Sequence, residues 1–256
     1  LPLPFPPKFR ILSGGHPIPT EQSIECGQEL IRFLERGDEK DVVLTLISGG
    51  ASALVQVPIS GITLCELQEL TRILQTSGAT IEELNTVRKR LDLIKGGGLI
   101  RAIKGIKVVN LFISDVKEDR IDLIASGMTL GDPSTPEEAM GVLQKYGVIS
   151  RIPAAVLDGL QATDMTKSTY NRTKPFSTNT ILLNNRSAIE GVLIKARESG
   201  WCAEALGWIL HGEARDKGKY LSDRLYQAAL DPDVSKPICL VGGGETTVHV
   251  VGQGTG

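Results

Sequence analysis

The sequence predicts an α/β protein made of two Rossmann-like units with mostly parallel sheets. Short apolar runs rich in Val, Leu and Ile, such as 42–47 and 106–113, alternate along the chain with amphipathic segments of helical length. A second alternation of strands and helices follows over 179–256. Such alternation predicts parallel strands covered by helices, so strand 42–47 is expected to be buried on both faces.

The chain length allows one large or two ordinary domains, because it has 256 residues. We expect a first domain over 1–161 that is incomplete at its start, and a second over 179–256 that is truncated at its end. The polar stretch 162–178 is expected to be a linker or an excursion from the domain.

Composition argues against several classes of partner. The net charge of −2 gives no electrostatic case for nucleic acid or for an anionic membrane, and aromatic residues make up only 4%. No apolar stretch is long enough to span a bilayer. The four cysteines are scattered without C-x-x-C, so we expect free thiols in the cytoplasm and no zinc site.

Helix starts in the first unit are marked by capping patterns. We expect a short strand at 9–12 and then helices at 21–36, 64–76, 81–94, from 136 and after Pro153. Three of these helices begin with a Thr followed three residues later by Glu: Thr63 with Glu66, Thr80 with Glu83, and Thr135 with Glu138.

The second unit repeats the pattern with less apolar helices. Strands are expected at 180–183, within 201–210 and at 237–241, with a return strand at 248–251. Helices are expected at 186–199 and 214–230.

A run of small residues after strand 42–47 is the main candidate for a binding loop: Ser48, Gly49, Gly50, Ala51 and Ser52. Open α/β sheets bind ligands at the carboxyl ends of their strands. The glycines let a ligand approach the backbone, and N–H groups with flanking hydroxyls could hold a phosphate or carboxylate. The loop matches neither the dinucleotide nor the P-loop pattern, so a plain strand-to-helix turn stays open.

Basic residues follow in two places. Asn85, Arg88 and Lys89 are spaced three and four residues apart, so one helix face carries them, either to bind an anion or as a solvated surface. Lys95 precedes the glycines 96–98 and is either a phosphate-binding cation or a solvated cation near a helix end.

Acidic and hydroxyl groups follow two further strands. Asp115 comes after strand 106–113, where a carboxylate can hold Mg²⁺ or accept a proton, with a turn role as the alternative. In the second unit, Gly243 and Gly244 precede Glu245 and Thr246, which are either metal- and phosphate-contacting groups or part of an ordinary turn.

Two other polar residues are weaker candidates. His16 lies between Gly15 and Pro17, where a lone histidine is more often satisfied locally. Asp132 precedes Pro133, which favours a turn role.

An ordered set of motifs resembles one family over nearly the whole chain. The motifs occupy 14–19, 46–54, 77–81, 85–89, 94–97, 114–116, 124–127, 132–135, 212–215 and 243–248. Together they resemble the glycerate 2-kinase family of the two-domain, MOFRL-containing type, some members of which have been labelled hydroxypyruvate reductase.

The resemblance implies transfer of the ATP γ-phosphoryl group to the 2-hydroxyl of D-glycerate, with Mg²⁺, in a cleft between two units. It implies that the 48–52 loop binds glycerate or the phosphoryl group and that Arg88 and Lys95 neutralise the carboxylate or phosphates. It also makes Asp115 a candidate for metal binding, and Glu245 and Thr246 candidates for the cleft. A homo-oligomer is left open.

Three departures from the family pattern support an alternative. Gly98 stands where the family frequently has an Arg, and Met128 and Gly131 stand where it commonly has prolines. These departures are expected to loosen a loop near the site. A degenerate ligand-binding homologue is therefore one alternative. An NAD(P)-dependent hydroxypyruvate reductase is another, although the missing G-x-G-x-x-G argues against it.

Overall fold

The computed structural model describes residues 8–103, 106–161, 177–231 and 237–249. The helices are α1 (Glu21–Leu34), α2 (Ala51–Leu54), α3 (Leu64–Thr76), α4 (Ile81–Arg88), α5 (Gly98–Ala102), α6 (Pro136–Lys145), α7 (Ala154–Gln161), α8 (Asn185–Glu198) and α9 (Ala214–Leu230). The strands are β1 (Val42–Ile47), β2 (Lys107–Ile113), β3 (Ser177–Leu183), β4 (Cys202–Leu210) and β5 (Ile238–Gly244).

The strands form two sheets, as the alternating pattern predicts. One sheet has the order β1-β2-β3, and β4 pairs with β5 in the other. The β1–β2 pair is parallel, with Leu44 opposite Val109 and Ile47 opposite Phe112, and the β4–β5 pair is parallel as well. The α/β class with parallel pairing is confirmed.

One detail of the β1 prediction is wrong, because the strand is not buried on both faces. Val42, Leu44 and Leu46 are 61%, 58% and 73% exposed. Alternate residues of a strand point to opposite faces, and β1 is an edge strand of its sheet. Helix α1 leaves this face largely exposed, although Phe33 lines cavities together with Val42 and Leu44.

The chain divides into two compact units. Unit 1 comprises Leu1–Phe112 and Ile121–Thr180, and unit 2 comprises Ile113–Arg120 and Ile181–Gly256. The short segment 113–120 groups with unit 2 because the Ser114 N–H donates to the Leu183 carbonyl at 2.8 Å. The side-chain amide of Asn184 also donates to Asp119, at 2.6 Å. Most of the predicted linker, 162–176, lies outside the described residues.

The core of unit 1 is formed by α3, α4, α6 and α7. Their inward side chains, together with Leu91, are fully buried: Leu70, Leu74, Val87, Leu91, Leu143 and Leu160. The three predicted Thr/Glu capping boxes are present at α3, α4 and α6, so these helix starts are confirmed. Within the described residues, no helix has the length and apolar composition needed to cross a bilayer.

Helix α4 ends at Arg88, six residues before the predicted end at 94. The chain beyond it forms turns and an isolated bridge between Asp92 and Pro58. The Ile59 N–H donates to the Leu91 carbonyl at 3.0 Å, and the Leu93 N–H donates to the Val57 carbonyl at 2.7 Å. These contacts with residues 57–59 replace further helical hydrogen bonds.

Five smaller predictions are corrected. Residues 9–12 form no strand, and Phe9 and Ile11 are exposed. Helix α1 stops at Leu34 rather than 36. Strand β3 begins three residues early, and β5 continues through its glycines to Gly244. The proposed return strand is not formed at 248–249, and 250–251 lie outside the described residues.

Candidate active site

The loop after β1 adopts the sharp turn that its glycines allow. Gly50 has φ = 82° and caps α2, which begins at Ala51. A Cβ atom on Gly50 would lie 3.3 Å from His16 Nε2, so the imidazole is placed directly beside the loop. The Ala53 and Leu54 N–H groups donate to the Gly50 carbonyl, which leaves the Ala51 and Ser52 N–H groups for a ligand at the end of β1.

A chain of hydrogen bonds joins this loop to two distant segments. The Ser126 hydroxyl donates to Asn85 Oδ1 at 2.9 Å, and Ser52 Oγ lies 2.6 Å from Ser126 Oγ. Because a hydroxyl has one proton, Ser52 must be the donor to Ser126. Asn85 is 3% exposed, and its Nδ2 donates to no residue in the described ranges. The network thus leaves the Ser52 oxygen as an acceptor and the Asn85 amide as a donor.

The segment that carries Ser126 has an unusual backbone. Ala125 and Ser126 have φ values of 52° and 55°, a left-handed conformation that costs non-glycine residues about 1–2 kcal/mol each. The glycine segment after Lys95 holds it in place: the Gly96 N–H donates to the Ser126 carbonyl at 3.0 Å, and the Gly97 N–H donates to the Gly127 carbonyl at 2.8 Å. Such strained residues cluster at functional sites.

The expectation of a loosened loop is not met. Met128 is buried, and its carbonyl accepts from the Leu99 N–H at 3.1 Å. A Cβ atom on Gly98 would lie 1.9 Å from the Leu93 carbonyl oxygen, so only glycine fits there. Gly98, at the start of α5, and Met128 therefore both lie in closely packed surroundings.

Lys95 is a buried ion-pair residue. It is 1% exposed, and its Nζ lies 2.8 Å from Asp92 Oδ2. Asp92 Oδ1 also accepts from the Ile94 and Lys95 N–H groups, at 2.8 and 3.3 Å. Burial lowers the pKa of Lys95, and the charge of Asp92 opposes that shift. The interpretation of Lys95 as a solvated cation is wrong.

Arg88 has a different setting on the same stretch of chain. It is partly buried, and burial lowers its pKa while the charge of Asp92 raises it. Within the described ranges its guanidinium donates no hydrogen bond, and no ion pair forms within 4.0 Å. It lines a cavity of about 490 Å³, together with Gln56 and Gln68.

The face that carries Asn85 and Lys89 is buried, so its interpretation as a solvated surface is wrong. Lys89 Nζ lies 3.7 Å from Asp132 Oδ1. Asp132 accepts from the Ser134 hydroxyl at 2.6 Å and from the Ser134 N–H at 3.3 Å, which confirms its predicted turn role.

The remaining predicted residues belong to unit 2. Asp115 is exposed, and its side chain bonds to no described residue. Glu245 and Thr246 are exposed as well. Gly243 packs so closely that a Cβ would lie 2.1 Å from Asn185 Oδ1, and Gly244 has φ = 147°. The glycines of β5 are therefore required by close packing within unit 2.

Backbone hydrogen bonds join two of the unit 2 motifs. The Thr247 N–H donates to the Gly212 carbonyl at 2.8 Å, and the Ala214 N–H donates back to Thr247 at 2.9 Å. These bonds bring the 212–215 and 243–248 motifs together.

Three residues that shape the unit 1 site are not among the candidates predicted from the sequence: Gln56, Asp92 and Ser126. Asp92 lies four residues after Arg88 and three before Lys95, a charge spacing that could have indicated pairing. In the sequence Ser126 is only one residue of the 124–127 motif, and no sequence signal distinguishes Gln56. In the described ranges, no group of three His, Cys, Asp or Glu side chains could hold a metal ion.

Comparisons with known proteins give a consistent result. Residues 4–161 match the family described as "Domain of unknown function (DUF4147)". The chain is 36% identical over 253 residues to D-glycerate 2-kinase from Thermotoga maritima, covering 97% of this chain and 58% of that protein. It is 35% identical over 246 residues to a putative hydroxypyruvate reductase from Agrobacterium vitis, covering 95% of this chain and 55% of that protein.

The fold has a counterpart among solved structures. A crystal structure of glycerate kinase from Thermotoga maritima superposes with a TM-score of 0.81 at 36% identity, over 99% of this chain and 60% of that one. The chain therefore spans somewhat more than half the length of the relatives that it matches.

Proposed function

This chain belongs to the DUF4147 family, and from that premise we propose that the full-length protein is a D-glycerate 2-kinase. It transfers the γ-phosphoryl group of ATP to the 2-hydroxyl of D-glycerate and releases ADP and 2-phosphoglycerate. The relatives named glycerate kinase support this assignment. The observation that carries it is the hydrogen-bonded line Ser52–Ser126–Asn85 at the end of β1.

That line suits a phosphoryl acceptor. Phosphoryl transfer needs positioning and charge neutralisation more than covalent chemistry. The Ser52 oxygen can accept from the substrate hydroxyl, and the Asn85 amide can donate to a substrate oxygen. Both atoms are held by the strained Ser126 segment, so the substrate meets groups that are already oriented. The glycine loop 48–52 adds backbone N–H groups for a phosphate oxygen.

Mg²⁺ is proposed as the companion of ATP. In kinases the ion is commonly held by one or two carboxylates and by the phosphates themselves, so a cage of three protein ligands is not required. Asp115, exposed and without a side-chain partner in the described ranges, suits that mode. When bound, the ion neutralises charge on the transferring phosphates. Glu245 and Thr246 stay candidates for contacts from unit 2.

We also infer a cytoplasmic location and a small-molecule partner. All four cysteines are free thiols, which fits a reducing compartment.

The test is a coupled ADP-release assay on the full-length protein with D-glycerate, ATP and Mg²⁺, with the product identified by NMR. We expect one ADP per 2-phosphoglycerate. Phosphorylation at the 3-position, or no ADP release, would contradict the proposal.

The second candidate is a hydroxypyruvate reductase, because one relative carries that name. Its test is NADH or NADPH oxidation with hydroxypyruvate. We expect none, since the 48–52 loop lacks the dinucleotide fingerprint.

A further inference from the structure

The cavity beside α4 contains two polar side chains whose bonding capacity is not used. The cavity has a volume of about 490 Å³, within the range of small-molecule sites. Gln56 lines it, is 3% exposed, and has an Oε1 atom without a hydrogen-bond partner. Arg88 lines it with a guanidinium that donates no hydrogen bond in the described ranges. Buried polar groups are normally hydrogen-bonded, so the unpaired Gln56 oxygen indicates a ligand, and the half-buried Arg88 guanidinium lines the same space.

Charges in the cavity indicate a ligand with a single negative charge. Three charged residues line it: Glu69, Arg72 and Arg88. Glu69 accepts two hydrogen bonds from Arg72, at 2.8 and 2.6 Å, so this pair cancels. Arg88 is left as the net positive charge. One monoanion balances it, whereas a triphosphate would need several cations.

The shape of the polar groups favours a carboxylate. A guanidinium presents a planar fork that matches the two oxygens of a carboxylate. Part of the cavity wall is apolar and is formed by Pro17, Ile18 and Leu67. Apolar surroundings strengthen the electrostatic attraction between Arg88 and an anion. The Gln56 amide adds one acceptor and two donors, which suit a neighbouring hydroxyl.

We propose that this cavity is the carboxylate subsite of the substrate, and that Gln56 is the specificity residue that recognises the hydroxyl that is not phosphorylated. The inference rests on the proposed kinase function. Arg88 follows Asn85 by three residues on α4, so both side chains share one helix face. A hydroxy acid held at Arg88 therefore lies along the same face as the Ser52–Ser126–Asn85 line.

The first experiment uses Cys65 as a reporter that is independent of turnover. Cys65 is exposed and lines the cavity, whereas the exposed Cys202 belongs to unit 2. Iodoacetamide labelling of the wild-type full-length protein is followed by peptide mass analysis. We expect D-glycerate to slow labelling of Cys65 but not of Cys202, and glycerol, which has no carboxylate, to have no effect. Protection by inorganic phosphate and not by D-glycerate would overturn the proposal.

The second experiment measures D-glycerate and D-lactate affinities by calorimetry, since D-lactate lacks the 3-hydroxyl. Gln56→Met should raise the Kd for D-glycerate about 10- to 100-fold, the usual effect of losing a buried hydrogen bond. It should leave the Kd for D-lactate within about twofold, which a general loss of structure would not do. The matched control is Gln144→Met, at an exposed position on α6, with unchanged affinity for both acids.

The two proposals fail in different ways. If the wild-type protein releases no ADP but Cys65 is protected and Gln56→Met loses selectivity, the subsite stands and the kinase assignment fails. If ADP is released but Gln56→Met keeps its selectivity between the two acids, the kinase assignment stands and the subsite is wrong.

Discussion

Arg88 and Lys95 lie seven residues apart, and the charge of Asp92 acts on both. Lys95 lies in direct contact with that carboxylate at 2.8 Å and is closed off from solvent. Arg88 is too far from it for an ion pair and borders an open cavity. Burial lowers both pKa values, but only one cation is compensated by the protein. The difference separates a cation that stabilises the fold from one that is available to a ligand.

Lys95→Met should have the largest effect on stability. It leaves the buried Asp92 carboxylate without its cation, and breaking a buried pair costs about 3–5 kcal/mol. Urea unfolding of the full-length protein, followed by circular dichroism, measures the change. Lys195→Met removes a lysine from the exposed pair with Glu198 and serves as the matched control, with little effect expected. A loss as small as that of the control would remove the structural role of Lys95.

Ser52→Ala should affect binding more than folding. It removes one hydrogen bond of the Ser52–Ser126–Asn85 line and one acceptor for the substrate, so the Kd for D-glycerate should rise about tenfold. The free energy of unfolding should fall by about 1 kcal/mol or less. Calorimetry and urea unfolding test the two parts, with Ser150→Ala as an exposed control. Unchanged affinity would remove Ser52 from the binding site.

Arg88→Met should leave stability almost unchanged, in contrast to Lys95→Met. No hydrogen bond within the described ranges is lost, and the variant relieves a partly desolvated charge, so we expect a change within about 1 kcal/mol of either sign. The same urea experiment applies. A loss comparable with that of Lys95→Met would mean that Arg88 has a structural role after all.

The smallest effect is expected at Glu83. Its ion-pair partner, Lys145, is an exposed cation, in contrast to Lys95 and Arg88. The pKa of Glu83 is lowered from 4.5 to about 2, first by the hydrogen bond from Lys145 and then by those from Thr80 and Tyr146. A lowered carboxyl pKa contributes stability above 4.5 that is lost as the pH falls toward 2. Glu83→Gln should therefore flatten the acid limb of the stability curve, measured by thermal melts across that range. An unchanged acid limb would contradict the assignment.

Local side-chain patterns were enough to predict where helices begin. The Thr63, Thr80 and Thr135 capping boxes all form, because an N-cap and its partner lie within one turn. The end of α4 could not be predicted in this way. It depends on backbone hydrogen bonds to residues 57–59, which no local pattern contains.

The candidate site likewise has one part that a local sequence pattern predicts and another that depends on long-range contacts. The 48–52 loop was predicted because glycines after an apolar strand form a local signal. Ser126 contacts Ser52 and Asn85 across 74 and 41 residues of sequence, and only the folded chain shows these contacts. Gln56 was missed for a related reason, since an unsatisfied amide is defined by the cavity around it.

The hydrogen bonds between the glycine segment 96–99 and the loop 126–128 restrict which substitutions this sequence can accumulate in evolution. Three N–H to carbonyl hydrogen bonds join the two backbone segments, and the 96–99 segment has no room for a larger residue at Gly98. A change of shape in one segment must be matched in the other. Substitutions there should survive as compensating pairs across the two segments rather than as single changes.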